Sequence, residues 1–368
     1  MKQTNFLTRR FKRYVNYVND HDFLLALLIA VVTIVIASVL GWYNNRVVPL
    51  YPYPHFHYVG KNLLGFLANW DGPNYLYIAQ HGYSNIKLFS FFPLYPILIK
   101  AGFYVFRSYL YSALFISWTS MVVASYFFIK ICKQIKFALT QSDAARALLF
   151  FILFPTGIFL IATYTEPLFA ALALGSIYAV LKHRFWLTIP LLMLATATHI
   201  TGAFVVLLIL VMMWEERASF VQIILTLFSG LGGLAGFMIY AKIRINNAFA
   251  FVRSQVYIHK WFENSYLNLL KTTDIFNIIL VLLVILAAIY FWHRRISFSL
   301  YSLLFLLIPI LGKQWGGFNR YVLIDFPIQF MLTDYYRKNR GSYTYIIVLF
   351  AVLWTYTALQ YLGGYIGS

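Results

Sequence analysis

The sequence predicts an all-α protein that crosses a membrane several times, and three features of its composition lead to this fold class. Of its 368 residues, 61% are hydrophobic and only 11% are charged, whereas a soluble domain has about 45–50% apolar and roughly 25% charged residues. The apolar residues form long runs, and the basic residues lie in short clusters between them. A net charge of +18 would suggest a nucleic-acid partner only if Lys and Arg shared one solvated face. We therefore exclude a soluble domain, a disordered chain and a nucleic-acid-binding protein.

About eleven apolar segments are candidate membrane helices. The first follows a basic N-terminus and lacks a small-x-small cleavage site, so we interpret it as a retained span rather than a signal peptide. Several others are shorter than the ~20 residues that a full crossing needs, which is tolerated where a helix lines a protein-walled cavity. The segments lie near 23–40, 109–130, 144–162, 167–181, 186–198, 202–214, 220–241, 275–292, 297–311, 321–333 and 344–362.

Cytoplasmic loops carry an excess of Lys and Arg, and this rule orients the chain. With the N-terminus in the cytoplasm, the later basic clusters also fall on that side, provided that segment 91–107 does not cross. Pro93, Pro96 and Lys100 are typical of a helix at the outer surface. Two large loops, about 42–108 and about 242–274, then lie outside, and the first is expected to carry short helices. We treat 1–368 as a single transmembrane domain.

Several kinds of site are excluded by the motifs that are missing from the sequence. The single cysteine, Cys132, excludes an internal disulfide and a zinc or iron–sulfur site built from cysteines. No Gly-rich nucleotide loop is present, which argues against ATP or a nucleotide sugar. SGLGGLAGF at 229–237 lies within an apolar span, so we predict that Gly232 and Gly236 pack against another helix. We expect no metal ion and no cofactor.

Acidic residues at membrane depth are energetically expensive and point to function. The predicted topology leaves five of the eleven acidic residues on the outer side, so acid–base chemistry there depends mainly on them and on the histidines. These five are Asp71, Glu166, Glu263, Asp274 and Asp325.

Asp71 lies in NWDGPNYLYIAQHGY, where Pro73 favours a first helical turn and Gly82 the residue after the last. Asp71 is then either a helix cap or a functional carboxylate that the helix dipole keeps ionised. His81, in the last turn, suits a structural role. The following FFPLYP segment, 91–96, is either an interfacial aromatic belt or the wall of a groove for a lipid chain.

Two further polar residues occur at interruptions of apolar runs. Glu166 precedes Pro167 in FPTGIFLIATYTEPLFAAL, so either Thr165 or Glu166 caps the next helix, or Glu166 orients a polar substrate or a basic partner. His199, in ATATHITGAF, lies at a break between two short spans. It is either a satisfied core residue or part of a site.

Basic residues on the outer side suggest an anionic ligand. Arg320, in GFNRYVLIDFP, lies near Lys313, and its forked guanidinium suits a phosphate; the alternative is that it snorkels to the interface. The loop 242–274 is basic against the usual bias, which either a bound anionic headgroup or general attraction to lipid phosphates explains. Its polar residues include Lys242, Arg244, Arg253, Gln255, His259 and Lys260.

Taken in order, the segments WDG…HGY…FFPLYP, YTEPLF, ATATHITG and NRYVLIDFP resemble the PIG-V-like family, over about residues 60–335. This family includes the GPI mannosyltransferase that adds the second mannose, and it belongs to the GT-C class of polytopic glycosyltransferases. The resemblance implies the GT-C fold, a polyprenyl- or dolichyl-phosphate-linked sugar as donor, inversion at the anomeric carbon, and an extracytoplasmic or lumenal site.

The resemblance also implies roles for single residues. Asp71 corresponds to the catalytic base, and Glu166 and Arg320 occupy motif positions that line the site. The family commonly has an arginine where this chain has His199. If that arginine binds the donor phosphate, then a protonated His199, or another basic residue such as Lys313 or Arg320, would have to do so here.

We therefore predict an inverting glycosyltransferase, a mannosyltransferase, that moves a sugar from the lipid phosphate to a hydroxyl group of a lipid, glycan or protein acceptor. Asp71 is the expected base, and the other predicted binding residues are Arg320, Lys313, His199, Glu166, Trp70, His81, Arg253, Gln255 and Tyr164. We expect no nucleic-acid partner, and contact with membrane lipids.

Two other functions remain open from the sequence. One is a polytopic lipid or glycolipid transporter or flippase, because such proteins also have broken helices with acids at mid-depth. The other is a non-catalytic subunit that keeps a GT-C fold. The lack of a retention signal and of extra domains favours a prokaryotic plasma membrane, with the site outside and the N-terminus in the cytoplasm, or the ER membrane in a eukaryote.

Overall fold

The computed structural model describes residues 2–47, 62–135, 140–259 and 265–365, and the regular structure in these ranges is helical throughout, as predicted. The α-helices are α1 (Lys2–Val47), α2 (Gly72–His81), α3 (Leu94–Phe106), α4 (Tyr109–Gln134), α5 (Gln141–Ile152), α6 (Glu166–Leu181), α7 (Thr188–Thr198), α8 (Gly202–Glu215), α9 (Phe220–Gly230), α10 (Gly232–Ile245), α11 (Ala250–His259), α12 (Tyr266–Lys271), α13 (Ile275–Phe291), α14 (Ile296–Phe305), α15 (Leu307–Gly312), α16 (Phe318–Val322), α17 (Phe326–Lys338) and α18 (Tyr343–Leu362).

The described helices fit a polytopic membrane protein. Four segments are long and apolar enough to cross a membrane, namely His21–Val47, Tyr109–Gln134, Phe220–Ile245 and Arg340–Leu362. Only 17% of the apolar stretch in Phe220–Ile245 is buried by the rest of the chain, so its surface is suited to lipid. Shorter apolar helical segments include Glu166–Leu181, Gly202–Glu215 and Ile275–Phe291. The total of eleven spans stays a prediction.

Several of the expected spans are not continuous helices, since α9 and α10 divide 220–241 and α14 and α15 divide 297–311. In 144–162, α5 ends at Ile152, and the chain then runs through turns and a short 3-10 helix, Gly157–Leu160. In 321–333, the chain breaks between α16 and α17. Irregular backbone at membrane depth requires polar partners from the protein. Here Trp118 Nε1 donates to the carbonyl of Ile161 (2.9 Å), and the N–H of Thr163 donates to the carbonyl of Leu67 (2.8 Å).

Several helix starts follow from local sequence. The Ser108 hydroxyl accepts a hydrogen bond from a backbone N–H in the first turn of α4. Ser219 and Gln222 form a reciprocal capping box at α9. Asp274 accepts a hydrogen bond from the N–H of Asn277 (2.7 Å) at the start of α13. Asp274, one of the five expected outer acids, therefore caps a helix.

Five acidic residues pair with basic clusters at one end of the helix bundle, which we call the ion-paired end. Lys130 lies 3.1 Å from Asp22, Arg295 lies 3.6 Å from Glu215, and Lys338 lies 2.7 Å from Asp334. The structure thus gathers the basic clusters that the sequence assigns to the cytoplasm. The five acids are Asp22, Asp143, Glu215, Glu216 and Asp334.

The segment 91–107 contains α3, which is 13 residues long and therefore about 20 Å, against a bilayer core of ~30 Å. It packs antiparallel to the first half of α4. The Tyr95 hydroxyl donates to the carbonyl of Ala113 (3.1 Å), and the ring of Phe103 stacks on Tyr109 at 4.3 Å. This segment therefore stays beside the beginning of α4, whereas the ion-paired end lies where α4 ends.

The packing of α10 on α7 corrects one prediction from the sequence. A Cβ atom on Gly233 would lie 2.0 Å from the carbonyl oxygen of Met193, whereas one on Gly236 would meet nothing within 4 Å. Gly232 makes only an ordinary contact with Met193, at 3.4 Å. The predicted Gly232–Gly236 pair is wrong in its second member, because Gly233 is the residue that permits close approach.

Gly233→Ala is expected to destabilise the protein by about 1–3 kcal/mol, because its methyl group would collide with the backbone of α7. Gly236→Ala is the matched control, and it should be neutral or stabilising by up to ~1 kcal/mol because alanine favours a helix over glycine. Thermal unfolding of the purified variants, followed by tryptophan fluorescence, checks this. Equal transition temperatures for the two variants would contradict the packing described here.

Candidate active site

A buried arginine joins two carboxylates at the end of the bundle opposite to the ion-paired end. Arg320 Nη1 pairs with Asp71 Oδ2, and Arg320 Nε lies 2.9 Å from Glu166 Oε1. Helix α6 connects the two ends of the bundle. It begins at Glu166, and Lys182, just after its last residue, donates to Gln134 near the ion-paired end (2.8 Å). We call Asp71, Glu166 and Arg320 the carboxylate–arginine cluster, and its end of the bundle the site end.

The three side chains of the cluster differ in their access to solvent. Glu166 is 0% exposed, Arg320 is 9% exposed and Asp71 is 23% exposed. Two carboxylates and one guanidinium carry a net charge of −1 when all are ionised. Only Asp71 is open enough to meet a substrate, and the guanidinium of Arg320 is already engaged by two anions.

The two halves of the cluster are bonded differently. Asp71 accepts a hydrogen bond from Arg320 Nη1. Arg320 Nε and Glu166 Oε1 are close enough to be an ion pair, yet neither atom has a hydrogen-bond partner among the described residues. The Nε–H group is therefore not aimed at the carboxylate oxygen. Charge attraction, rather than a directed hydrogen bond, holds this half of the cluster together.

Asp71 immediately precedes α2, at the N-cap position, but its carboxylate makes no capping hydrogen bond. The cap interpretation is therefore wrong, and the carboxylate turns to Arg320 instead. The backbone N–H of Asp71 donates to the Tyr164 hydroxyl (3.2 Å). Tyr164, one of the predicted substrate-binding residues, is fully buried and fixes the backbone that carries Asp71.

The segment before Asp71 is held by the C-terminal end of α18. Asn69 Nδ2 donates to the carbonyls of Tyr361 and Leu362 (both 3.2 Å), and the Tyr361 hydroxyl approaches the carbonyls of Leu67 (3.2 Å) and Asn69 (3.1 Å). These contacts bridge about 290 positions of sequence. Sequence reasoning missed Asn69 and Tyr361, since nothing in the motifs links these distant segments.

Glu166 lies in the first turn of α6, where the helix dipole favours an anion. No side-chain cap forms at Thr165; its hydroxyl instead lies 3.4 Å from Glu166 Oε2. The Tyr75 hydroxyl lies 3.4 Å from Thr165 Oγ1, and burial raises the pKa of Tyr75, so this phenol stays neutral. Sequence reasoning also missed Tyr75, although it follows Asp71 by four residues on the same face of α2.

Aromatic rings surround the guanidinium of Arg320. The carbon Cζ of Arg320 lies 5.2 Å from the ring centres of both Tyr164 and Tyr321, which is within cation–π range. The backbone N–H of Arg320 donates to the side-chain oxygen of Asn319 (2.7 Å), and the backbone carbonyl of Asn319 accepts from the Thr156 hydroxyl (3.1 Å). The position of the arginine is thus fixed at both its backbone and its head group.

His199 is buried beside the cluster, with its ring 5.2 Å from the ring of Tyr321. Its Nδ1 lies 2.7 Å from the Thr201 hydroxyl and accepts the backbone N–H of Thr201 (3.3 Å). A nitrogen that accepts an N–H bond carries no proton, so this geometry describes a neutral imidazole. A phosphate-binding role would require a protonated His199, and the observed hydrogen bonds do not fit that form.

Three further residues that were predicted to bind the substrate are Lys313, His81 and Trp70. Lys313 Nζ lies 5.3 Å from the ring centre of Tyr266. The exposed His81 lies against Tyr77, with ring centres 4.5 Å apart. Trp70, next to Asp71, is half-buried and has a left-handed backbone with a φ of 58°. The described ring contacts of Lys313 and His81 are therefore with residues outside the carboxylate–arginine cluster.

The two predicted outer loops touch each other at the site end. Ser254, in α11, donates to the carbonyl of Lys87 (2.8 Å), and the rings of Phe92 and Phe251 lie 5.9 Å apart. On α11, Arg253 is exposed and Gln255 is half-buried. Both residues therefore lie on the helix that makes the loop contact, and the described ion pairs of the cluster do not include them.

Of the five expected outer acids, Asp71 and Glu166 both contact Arg320. Asp325 is buried and accepts from the Ser302 hydroxyl (2.8 Å). Glu263 and Lys260 lie outside the described residues, as do residues 48–61 of the first loop. Within the described part of the chain, no group of three His, Cys, Asp or Glu side chains is placed to hold a metal ion.

Removing the arginine alone should be much more harmful than removing the buried ion pair. Arg320→Met leaves Glu166 buried without a countercharge, which costs about 3–5 kcal/mol. Arg320→Met combined with Glu166→Gln is expected to recover much of that loss, since Asp71 keeps contact with water. Thermal unfolding of the two variants tests this, and a double variant that is less stable than Arg320→Met would refute it.

Comparison with known proteins assigns this chain to a family. The chain matches the family model described as Mannosyltransferase (PIG-V) over residues 23–262, which is more than half of its length. This range includes Asp71, Glu166 and His199, and it ends before Arg320.

Curated relatives agree with this match. Proteins named GPI alpha-1,6-mannosyltransferase 2 are 31% identical over 150 residues in Homo sapiens, 31% over 153 in Cricetulus griseus and 30% over 153 in Mus musculus. Each alignment covers 39% of this chain, and the chain spans only 30% of the length of these relatives. The chain belongs to the mannosyltransferase (PIG-V) family.

Proposed function

We propose that this protein is an inverting membrane mannosyltransferase with Asp71 as its general base. The observation that carries the proposal is the pairing of Asp71 with Arg320 and Glu166 in a member of the mannosyltransferase (PIG-V) family. Asp71 is the most exposed of the three side chains, so it is the one that an acceptor hydroxyl can reach.

The proposed reaction follows from the charge of Asp71. Arg320 pairs with the carboxylate of Asp71, and an ionised carboxylate is the form that accepts a proton in general base catalysis. Asp71 takes the proton of the acceptor hydroxyl while that oxygen forms a bond to the anomeric carbon from the face opposite to the leaving group. The bond from the anomeric carbon to the lipid phosphate breaks, and the phosphate leaves as an anion. The configuration of the sugar is inverted.

We assign Arg320 to the base rather than to the donor phosphate. Its guanidinium contacts two carboxylates and lies between two tyrosine rings, so a phosphate would have to displace an existing anion. His199 is neutral in the observed hydrogen-bond geometry. This leaves Lys313, and the exposed Arg253 on the neighbouring loop, as the predicted cations for the phosphate.

The proposed donor is mannose linked to a polyprenyl or dolichyl phosphate, and the proposed acceptor is a hydroxyl of a lipid, glycan or protein. In the aromatic segment 91–96, Phe92 and Tyr95 are buried inside the protein, whereas Phe91 and Leu94 are half-buried. A prenyl chain along this segment would therefore contact Phe91 and Leu94.

We place the ion-paired end in the cytoplasm and the site end on the extracytoplasmic side. The supporting argument is the positive-inside rule, since the clustered basic residues of the short loops meet at the ion-paired end. The proposed membrane is the prokaryotic plasma membrane, or the ER membrane if the host is a eukaryote.

Asp71→Asn is expected to lower mannose transfer from prenyl-phosphate mannose by about 10²–10⁴-fold, because an amide cannot accept the proton. The measurement is turnover by the purified protein with a range of hydroxyl acceptors. Asp274→Asn is the matched control, since it removes a carboxylate at the site end while keeping a residue that caps α13.

The result also separates the proposed function from its rivals. Full turnover in Asp71→Asn would refute the base assignment. Binding of prenyl phosphate without transfer by the wild type would favour a non-catalytic subunit, and movement of the lipid between leaflets without transfer would favour a flippase.

Sidedness can be tested with single cysteines in intact cells. Gln80→Cys, on an exposed face of α2, is expected to react with a membrane-impermeant thiol reagent added outside. Arg184→Cys, exposed near the ion-paired end, should react only after permeabilisation. The native Cys132 is buried, so the wild type serves as the unlabelled control. The opposite labelling pattern would reverse the proposed orientation.

A further inference from the structure

We infer that Glu166 is a positioning residue that controls how readily Asp71 accepts a proton, and that it acts through Arg320. The inference rests on the proposed function, since it takes Asp71 to be the base. It assigns a role to a carboxylate that no substrate can touch, because Glu166 is 0% exposed.

The single positive charge of Arg320 is shared between the two negative charges of Asp71 and Glu166. Arg320 contacts Asp71 through Nη1 and Glu166 through Nε. A guanidinium facing Asp71 alone would strongly favour the ionised carboxylate and weaken it as a base. The nearby charge of Glu166 opposes this effect, since it offsets the field of Arg320 and repels a second anion.

Glu166 also affects the orientation of the Arg320 guanidinium. The guanidinium is a rigid planar fork, so fixing its Nε edge beside Glu166 also fixes the direction of Nη1. Arg320 Nε and Glu166 Oε1 lie 2.9 Å apart without a hydrogen bond. Glu166 therefore acts on Arg320 mainly through its charge, and a neutral side chain of the same shape cannot replace that action.

The other groups that face Asp71 do not provide this control. Tyr164 accepts the backbone N–H of Asp71, and tyrosines ionise only near pH 10. His199 is neutral in its hydrogen-bonded geometry. Arg320 and Glu166 are thus the charged partners of Asp71 within the described part of the site. The tyrosines that interact electrostatically with Asp71 are Tyr75, Tyr164, Tyr321 and Tyr361.

The test is the pH profile of kcat/KM for mannose transfer by the purified protein. Glu166→Gln keeps the shape and removes the charge, so the full field of Arg320 acts on Asp71. The acid limb of the profile is expected to move to lower pH by about one unit, and the plateau should fall because the base holds its proton less strongly. A purely structural role would lower the plateau without moving the limb.

A second variant protects the test against loss of folding. Glu166→Asp keeps the charge on a shorter side chain, farther from Arg320 Nε, so the limb should move in the same direction by a smaller amount. Asp274→Asn, which removes a negative charge at the site end without touching Arg320, should leave the limb at its wild-type position.

The outcomes are distinguishable. An acid limb that does not move in any folded Glu166 variant overturns the inference, and so does an equal shift in Asp274→Asn. Failure of the wild type to transfer mannose, or full activity in Asp71→Asn, instead overturns the proposed function on which the inference rests.

Discussion

One guanidinium holds together two carboxylates from distant parts of the chain, and the site end of the protein depends on this interaction. Asp71 and Arg320 are separated by 249 positions in sequence. Buried charges such as those of Glu166 and Arg320 are expensive unless they are paired. Neighbouring contacts fix two members of the cluster, since Tyr164 holds the backbone of Asp71 and Asn319 holds the backbone of Arg320. A buried ion pair is weak evidence for stability, so stability alone does not explain the cluster.

Interrupted helices are what make the cluster possible. Each of its members lies at the start of a helix or in a very short one, next to irregular backbone. Such backbone survives at membrane depth only where the protein satisfies its polar groups, as Trp118 does for Ile161 and Thr163 does for Leu67. At the other end of the bundle, ordinary ion pairs join the helix ends. The ion-paired end thus holds the helices together, and the site end carries the carboxylate–arginine cluster.

The sequence predicts much of this arrangement, for physical reasons. Charges in apolar surroundings and prolines at helix starts identify Asp71, Glu166 and Arg320, since both signals are local. Contacts between remote segments leave no local signal, which is why Tyr361 was missed and the cap interpretation of Asp71 is wrong. The spacing of glycines shows that a helix can pack closely, but the face that packs depends on the neighbouring helix. The glycine at the contact is therefore Gly233 and not the predicted Gly236.

The central claim is that Arg320 serves the base and not the donor phosphate. The most direct measurement compares prenyl-phosphate binding and mannose transfer in the Arg320→Met, Glu166→Gln double variant, in which the buried charges are removed together. This variant is expected to bind prenyl phosphate as tightly as the wild type, while transfer is expected to fall by at least about 10²-fold. Loss of prenyl-phosphate binding in the folded double variant would contradict it and return Arg320 to the donor.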